Sequence, residues 1–201
     1  MAPKRYDREY FDRWYRDPRH AVKSPLVLER KVRMVVATAE YYLGRPIESV
    51  LDVGAGEGAW LAPLRALRPR VRYLGLDSSE YAIARHGTAR NLRLLGFADL
   101  EHQRFDAPVD LLVCSDVLHY VPTVELKRGV AGFEYLCTGL AFLELFCRGD
   151  DFVGDHDGYV SRPAAWYRKV FAAAGFSACG SHCYLSRALR AEASALELCS
   201  A

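Results

Sequence analysis

Three glycines at alternate positions follow an aspartate in the segment SVLDVGAGEGAW, residues 49–60. Asp52 lies inside the apolar run of a predicted strand, and Gly54, Gly56 and Gly58 remove side chains from the turn that comes next. Such a turn lets the backbone approach a ligand closely, and the helix after it presents unpaired N–H groups and a positive dipole end. The segment therefore predicts a binding site for a molecule that contains a nucleotide.

The charge of Asp52 separates two kinds of nucleotide ligand. The run GAGEGA fits the dinucleotide template G-x-G-x-x-G/A through Ala59, and Asp77 follows about 20 residues later, where an acid grips ribose hydroxyls. A nicotinamide or flavin enzyme is therefore one alternative. A diphosphate, however, carries two negative charges that Asp52 would repel, whereas a cationic ligand would be attracted. Gly58 completes the pattern D-x-G-x-G-x-G, which is typical of a turn around a zwitterionic amino-acid tail.

The overall composition excludes several classes of protein. The chain has 201 residues, 51% of them hydrophobic, which is enough for one sizeable core. A formal net charge of +2 and a pI near 8.2 are too mild to indicate nucleic acid or an anionic membrane as the partner. No apolar run approaches the ~20 residues of a membrane span, and the N-terminus lacks the apolar core of a secretion signal. We expect one cytoplasmic domain over residues 1–201, with residues 1–46 as a helical cap and residues 47–201 as an α/β core.

The cysteines and the acidic residues predict neither disulfides nor a metal site. The six cysteines show no C-x-x-C spacing and lie mostly in apolar segments, so we expect buried, reduced thiols. The run GDDFVGDHDG, residues 149–158, carries carboxylates and a histidine that a hard metal ion accepts as ligands. Adjacent carboxylates in a flexible loop lack the fixed geometry that Mg²⁺ demands, so we expect a solvated loop beside the pocket.

From residue 47 onward, short aliphatic runs alternate with longer segments of helical period. This alternation is typical of a doubly wound α/β fold, in which helices cover both faces of a mostly parallel sheet. The predicted strands are IESVLDV, VRYLGLD, NLRLLGF, VDLLVCS, GLAFLELF and FSACGSHCYL. The predicted helices are AWLAPLRALR, EYAIARHGTA, a helix from near Pro122 with Leu126, Val130 and Phe133 on one stripe, and SRPAAWYRKVFAAAG.

The segment before the first strand is rich in aromatic residues. Tyr10, Phe11, Trp14 and Tyr15 precede VLERKVRMVVATAEYYL, which has the pattern of one amphipathic helix. Two interpretations stay open: the aromatic residues anchor an N-terminal helix on the body of the fold, or they form a lid over a cofactor. On the second interpretation, Tyr10, Trp14 and Tyr15 contribute to the substrate site.

The segment VLDVGAGEG resembles motif I of the class I S-adenosylmethionine-dependent methyltransferases, and the similarity extends over residues 47–180. The resemblance implies S-adenosylmethionine as the cofactor. It places the cofactor's amino-acid tail at the glycine turn, formed by Asp52, Gly54, Ala55, Gly56 and Gly58. In that family the acid that ends the second strand holds the ribose diol, and YLGLDSS puts Asp77, followed by Ser78, at this position.

Two further segments resemble the family's cofactor site. GFADLE supplies Asp99 to accept a hydrogen bond from the adenine amino group and Leu100 to pack on the ring. VDLLVCSDVLHYVP resembles the fourth strand, so Ser115 should line the cofactor beside the acceptor pocket. One departure is visible, because the family ends in a β-hairpin, whereas FSACGSHCYL predicts a single strand after Gly175. We expect the sheet to be one strand short or its edge to be arranged differently.

The resemblance also implies the chemistry. Methyl transfer from a sulfonium is an in-line displacement by an activated donor, so the protein mainly positions the acceptor atom. A neutral amine needs no base, whereas a hydroxyl acceptor benefits from one. His119 and Tyr120, in the loop after the fourth strand, are the candidate catalytic residues. Tyr159 and Arg162 are candidate substrate contacts.

The prediction is a methyltransferase that acts on a nitrogen or oxygen of a small molecule. Two alternatives remain: a non-catalytic S-adenosylmethionine-binding or regulatory protein, and an RNA or protein methyltransferase that uses the arginines of RALRPRVR and RWYRDPRH. Asn-Pro-Pro-Tyr does not follow the fourth strand, which disfavours methylation of nucleic-acid bases. The sequence makes no prediction about the oligomeric state.

Overall fold

A computed structural model describes residues 4–17, 19 and 24–199 of the chain. It contains a seven-stranded sheet with the spatial order β3-β2-β1-β4-β5-β7-β6. The strands are β1 (Ser49–Val53), β2 (Arg72–Asp77), β3 (Leu92–Leu94), β4 (Val109–Ser115), β5 (Cys137–Glu144), β6 (Ser177–Gly180) and β7 (Cys183–Leu185).

The first five strands run parallel, and β1 lies between β2 and β4. Leu51 of β1 is in register with Leu74 of β2 on one side and with Leu112 of β4 on the other. The chain builds outward from β1 to β3 and then returns to place β4 on the opposite side of β1. Ligands of open α/β sheets bind outside the carboxyl ends of the strands at such a reversal.

The C-terminal edge of the sheet differs from the prediction of a single strand. The segment FSACGSHCYL forms two strands, β6 and β7, joined by a tight turn at Ser181 (φ 47°) and His182 (φ 61°). Positive φ at both central residues suits a two-residue hairpin, although neither residue is the Asn or Gly that usually signals one. β7 runs antiparallel to β5 and β6. The sheet therefore has seven strands and is not one strand short. Its strand order departs from the 3-2-1-4-5-6 order of dinucleotide-binding folds.

Helices connect the strands and cover both faces of the sheet. The α-helices are α1 (Arg8–Phe11), α2 (Pro25–Leu43), α3 (Leu61–Leu67), α4 (Glu80–Arg90), α5 (Thr123–Leu136) and α6 (Ala164–Ala173). A π-helical turn (Asp12–Arg16) continues α1, and 3₁₀ turns cover Phe97–His102 and Arg190–Glu192. Local signals set several ends: Ser79 accepts a hydrogen bond from the Ala82 amide (3.1 Å) at the start of α4, and Gly44 (φ 63°) ends α2.

Two hydrophobic cores lie on opposite faces of the sheet. Along β4, Leu111 and Val113 pack toward α2 and α3, whereas Leu112 and Cys114 pack toward α5 and α6. This alternation is expected of a central parallel strand that is buried on both sides. The predicted stripe on α5 is confirmed, because Leu126, Val130 and Phe133 are all buried. The doubly wound α/β prediction is confirmed as well.

Within the described ranges, no helix combines the length and the apolar character needed to span a membrane.

Candidate active site

A cavity of about 500 Å³ opens at the carboxyl ends of β1, β2 and β4. Gly54 and Asp77 lie on its sheet side, and residues of the N-terminal segment, including Tyr10 and Tyr15, form its roof. Asp116 and Tyr120, from the loop after β4, line a further part of it. The cavity thus stands at the reversal of strand order, where ligands of this architecture bind.

The glycine turn forms part of the cavity wall. Gly54, Gly56 and Gly58 all have left-handed backbone conformations, with φ of 69°, 55° and 75°. A Cβ atom on Gly56 would come within 2.8 Å of the Tyr15 hydroxyl, and one on Gly54 would overlap the side chain of Val117. Glycine is therefore needed here both for the backbone conformation and for the open space.

The other two residues predicted at this turn lie behind the wall. Neither Ala55 nor Gly58 lines the cavity. The Gly58 amide donates to the Ala55 carbonyl at 2.8 Å and closes the turn, and a Cβ on Gly58 would approach Leu92 at 3.1 Å. Both residues therefore determine the shape of the turn without lining the cavity.

Asp77 presents a fixed carboxylate at the end of β2. Its Oδ2 accepts a hydrogen bond from the Gly56 amide and its Oδ1 accepts one from the Ser79 amide, each at 2.7 Å. Burial raises the pKa of Asp77, although the two amides act in the opposite direction. Each carboxylate oxygen keeps further lone-pair capacity, so Asp77 can accept from the hydroxyls of a bound diol. Ser78 lies beside it in the cavity lining.

Asp52 does not line the cavity, which corrects the expectation of direct contact with the ligand. It is 2% exposed, and its Oδ2 accepts a hydrogen bond of 2.7 Å from the Tyr73 hydroxyl. Asp52 is in register with Gly75, two residues beyond Tyr73, so the two side chains share one face of the sheet. Its charge is still felt in the cavity, because it contributes to the raised pKa of Tyr15 in the lining. The predicted preference for a positively charged ligand stays a prediction.

The predicted adenine contacts divide between the cavity and its surroundings. Leu100 lines the cavity, together with Leu95, Gly96 and Phe97. Asp99 lies in the 3₁₀ turn, where its amide donates to the Gly96 carbonyl at 3.1 Å, and it is not among the lining residues.

Three polar residues, at the end of β4 and in the loop after it, line the cavity. Ser115 lines the cavity, and its hydroxyl donates to Glu144. Asp116 also lines the cavity, in a left-handed conformation with φ of 66° that is uncommon for a residue other than glycine. Tyr120 faces the cavity and donates to the Asp155 carbonyl at 2.6 Å. Burial raises the pKa of Tyr120, so its hydroxyl stays protonated at neutral pH.

His119 lies one layer behind the cavity, which corrects its predicted contact with the acceptor. The side chain is 0% exposed, and its ring packs against Tyr120 (4.1 Å between ring centroids) and Phe146 (5.4 Å). Its Nε2 lies 3.5 Å from Asp116 Oδ1, and its Nδ1 faces the Phe146 amide at 3.4 Å. An Nδ1 that accepts leaves the proton of the neutral ring on Nε2, toward Asp116.

Arg162 and Tyr159 also lie outside the cavity lining. Arg162 is 5% exposed, and its guanidinium donates to the carbonyls of Val121 (2.7 Å) and Leu118 (3.4 Å) and to the Tyr167 hydroxyl (3.0 Å). The ring of Tyr159 packs behind His119, with 5.9 Å between centroids. Arg162 therefore holds the β4–α5 loop in place and does not reach a ligand in the cavity.

The N-terminal segment is both anchored and part of the cavity, so the two interpretations of it combine. Tyr10, Trp14 and Tyr15 line the cavity. Phe11 is buried and stacks on Tyr81, with ring centroids 5.7 Å apart. The Tyr6 carbonyl accepts a hydrogen bond of 2.6 Å from the Ser79 hydroxyl.

Polar contacts close this roof at its two ends. Lys4 Nζ lies 2.5 Å from Asp155 Oδ2, and Arg16 pairs with Glu57 beside the glycine turn. Tyr15 is half-exposed, but its hydroxyl lies beside Gly56. Burial of the hydroxyl raises the pKa of Tyr15, and the nearby Asp77 adds to the rise.

Several cavity residues were not predicted from the sequence. Asp116 shares a loop with the candidates His119 and Tyr120. Because it is an acid beside two predicted catalytic residues, it could have been predicted as a site residue. Phe146 and Phe152 stack with their centroids 4.5 Å apart and line the cavity from the segment after β5. No local pattern marks them, because their position depends on the long-range path of the chain. Among the described residues, no group of three or more metal-ligating side chains comes together.

Comparison with known proteins agrees with this geometry. Residues 51–134 match a family model described as a methyltransferase domain. A segment of 78 residues, 39% of this chain, is 36% identical to the trans-aconitate 2-methyltransferase of Deinococcus radiodurans. That match spans 30% of the length of the relative.

Solved structures share the fold over most of both chains. One similar structure is the magnesium protoporphyrin IX methyltransferase ChlM of Synechocystis PCC 6803, solved with bound S-adenosylhomocysteine (SAH). The TM-score is 0.59 and the sequence identity is 21%, and the match covers 85% of this chain and 86% of ChlM. A second similar structure is CalS10 of Micromonospora echinaspora, an amino pentose methyltransferase solved with S-adenosylmethionine. The TM-score is 0.63 and the sequence identity is 18%, and the match covers 89% of this chain and 93% of CalS10. At these identities the likeness shows the fold.

The family match covers residues 51–134, and the sheet order and the glycine turn agree with it. Over this segment the chain is similar to a methyltransferase domain, and it shares the fold of solved methyltransferases, as VLDVGAGEG and the segments after it predict. S-adenosylmethionine, the cofactor that the motifs predict, is bound in the solved structure of CalS10.

Proposed function

We propose that this protein binds S-adenosylmethionine in the cavity and transfers its methyl group to a nitrogen or oxygen of a small molecule by in-line displacement. The observation that carries the proposal is a single cavity that joins the glycine turn and Asp77 to Asp116 and Tyr120. One end has the features of a cofactor site, and the other end has polar groups suited to an acceptor.

The residues at the first end fit the cofactor. Gly56 leaves open the space that a Cβ would fill, and its amide is already oriented by Asp77. Asp77 would accept hydrogen bonds from the ribose hydroxyls, and Leu100 and Phe97 would pack on the adenine ring. Ser115 and Ser78 would line the cofactor's central part. When bound, S-adenosylmethionine supplies a methyl group on a positively charged sulfur, which makes the methyl carbon open to attack.

The residues of this chain then contribute positioning and exclusion of water. The roof formed by Tyr10, Trp14 and Tyr15 covers the cavity, and an enclosed site strengthens electrostatic contacts and keeps the reactants together. Asp116 lines the cavity where it can accept the proton that an acceptor loses. His119 supports Asp116 from behind, at 3.5 Å.

The size and lining of the cavity support a small-molecule acceptor. A volume of about 500 Å³ suits a ligand of metabolite size. The described part of the chain contributes no lysine or arginine to the lining, and such residues would be expected of a site for the phosphates of RNA. ChlM and CalS10 act on a porphyrin and an amino pentose, which are small molecules, and this adds support.

The proposal is tested by following the methyl group. The protein is incubated with a metabolite extract and S-adenosylmethionine that carries a radiolabelled methyl group, and the small-molecule fraction is separated and counted. Label in a small product is the expected result. Label confined to RNA or protein would support the alternative acceptors, and the absence of any transferred label would support a purely binding role.

A further inference from the structure

We infer that the acceptor is an amine, held at the end of the cavity formed by Asp116, Tyr120, Phe146, Phe152 and Asp155. We call this set the acceptor end. The inference rests on the proposed function and deepens it, because it names the chemical class of the substrate.

The charges that line the cavity favour a cation. Among the described residues, the charged side chains in the lining are all carboxylates: Asp77, Asp116, Glu125 and Asp155. Asp77 belongs to the cofactor site, Asp116 and Asp155 belong to the acceptor end, and Glu125 also lines the cavity. A carboxylate or phosphate acceptor would meet repulsion there, whereas an ammonium group would find complementary charge.

An ammonium group already occupies part of this environment. Lys4 Nζ lies 4.0 Å from the centroid of the Tyr120 ring and 2.5 Å from Asp155 Oδ2, and it donates to the Asp157 carbonyl at 2.8 Å. The rings of Tyr6 and Tyr10 face the same nitrogen at 5.5 and 5.4 Å. Lys4 itself is not part of the cavity lining, but Tyr6, Tyr10, Tyr120 and Asp155 all are. The chain's own lysine therefore shows which kind of group these residues bind.

Aromatic rings complete the acceptor end. Phe146 and Phe152 are stacked at 4.5 Å, and both pack near the ring of His119. Ring faces attract cations and also bury apolar carbon. The acceptor end thus suits an amine attached to an apolar or aromatic skeleton.

The chemistry of an amine agrees with the residues present. A protonated amine must first release a proton, which Asp116 can accept and pass to solvent. The nitrogen lone pair then forms the new N–C bond to the methyl group as the S–C bond breaks, and the electron pair of that bond stays on sulfur. The products are an N-methylated ammonium group and a neutral thioether. The positive charge moves from sulfur to nitrogen, which keeps it near the carboxylates of the acceptor end.

Three probes of one shape test the inference: benzylamine, benzyl alcohol and benzoate. Each is titrated calorimetrically into the full-length protein at pH 7, without SAH and again with SAH at saturation. We expect benzylamine to bind at least about tenfold more tightly than benzyl alcohol and benzoate to bind weakest. An equal affinity for the three probes, or a preference for benzoate, would overturn the inference.

Two variants identify the groups responsible. Asp155→Asn keeps the acceptor for the Asp157 amide and removes the charge, so benzylamine should bind about tenfold more weakly, while benzyl alcohol is unaffected. Asp151→Asn, an exposed change in the same loop, is the control.

Lys4→Met removes the ammonium group that competes with benzylamine for Asp155, so it should tighten benzylamine binding about threefold. The exposed Arg5→Met is its control. Unchanged affinity in Asp155→Asn, or no tightening in Lys4→Met, would contradict the inference.

The titration of SAH separates this inference from the proposed function. If SAH does not bind, the proposed function fails, and the order of the three probes in the ligand-free protein still reports on the acceptor end. If SAH binds and the amine is not preferred, the proposed function stands and the inference about the amine fails.

Discussion

Nε2 of His119 lies 3.5 Å from Oδ1 of Asp116, with the imidazole fully buried and the carboxylate facing the cavity. Under the proposed function, the acid meets the acceptor and the histidine positions it from behind. This arrangement assigns different roles to two neighbours in the loop after β4, and it predicts different consequences when each is changed.

Asp116→Asn should lower kcat by about a hundredfold, because the amide cannot accept the proton of the acceptor. Asparagine tolerates the left-handed conformation at φ 66°, so the backbone should not move. Steady-state kinetics and a titration of SAH measure the two effects separately. SAH affinity should be unchanged, and a variant with the activity of the unaltered protein would exclude Asp116 from proton transfer.

His119→Asn should lower kcat less, by about tenfold, because it disturbs the position of Asp116 without removing it. SAH affinity should stay the same, because the histidine does not line the cavity, whereas a general loss of structure would lower both kcat and SAH affinity. His182→Asn, in the β6–β7 turn, is a matched control that should leave both quantities unaltered.

Arg162→Met should lower the free energy of unfolding by about 1–3 kcal/mol, because it leaves the carbonyls of Val121 and Leu118 buried without their donor. The KM for the acceptor should rise, since this loop carries Asp116 and Tyr120, while SAH affinity stays within about twofold. Arg162→Lys should recover part of the stability. Urea unfolding and kinetics test this against Arg168→Met, an exposed change on α6.

Asp110 ties the start of β4 to the segment before β1, and its effect should depend on pH. Its carboxylate accepts from Arg45 Nη2 and from the Glu48 amide, each at 2.7 Å. Burial alone would raise the pKa of Asp110, but the hydrogen bonds from Arg45 and Glu48 outweigh it, so the pKa lies below its ordinary value of 3.8.

A carboxyl group with a lowered pKa in the folded state stabilises the protein above its unfolded pKa and loses that effect as the pH falls through the folded pKa. Asp110→Asn should therefore lower the free energy of unfolding at pH 7 by about 1–3 kcal/mol, and the difference from the unaltered protein should shrink toward pH 2. Urea unfolding across this range measures it, with the exposed Asp106→Asn as the control. A difference that does not change with pH would show that the charge of Asp110 is not what stabilises the fold.

Much of the fold and of the cofactor end of the cavity could be predicted from the sequence, because both depend on local patterns. The apolar run VDLLVCS has the composition of a central parallel strand, and the glycines require a turn that only a few ligands fit. The role of Asp77 could be predicted as well, because Asp77 ends a strand at the edge of the sheet where the carboxyl ends of the strands lie and ligands bind. The hairpin of β6 and β7 escaped prediction, because Ser181 and His182 adopt positive φ without the residue types that usually signal it.

The acceptor end could not be predicted to the same degree. Asp116 and His119 are three residues apart, and the sequence does not show that Asp116, in a left-handed conformation, lines the cavity while His119 lies behind it. Arg162 was predicted to contact the substrate, but it is buried under the loop by contacts that connect distant parts of the chain. The pairing of Lys4 with Asp155 joins the N-terminal segment to the loop after β5, and no local pattern encodes a contact of that length.

The most direct test of the account is the affinity for SAH of Gly56→Ala compared with Gly44→Ala. Both glycines have left-handed conformations, with φ of 55° and 63°, so the two variants carry similar backbone strain. A Cβ on Gly56 would meet Tyr15 in the cavity, whereas one on Gly44 would meet nothing within 4 Å.

Calorimetric titration of SAH should therefore give equal dissociation constants for Gly44→Ala and the unaltered protein. The constant for Gly56→Ala should be at least about tenfold higher, a loss of about 1.4 kcal/mol or more. The same affinity in all three proteins, or no binding of SAH to the unaltered protein, would contradict the claim that this cavity is the cofactor site.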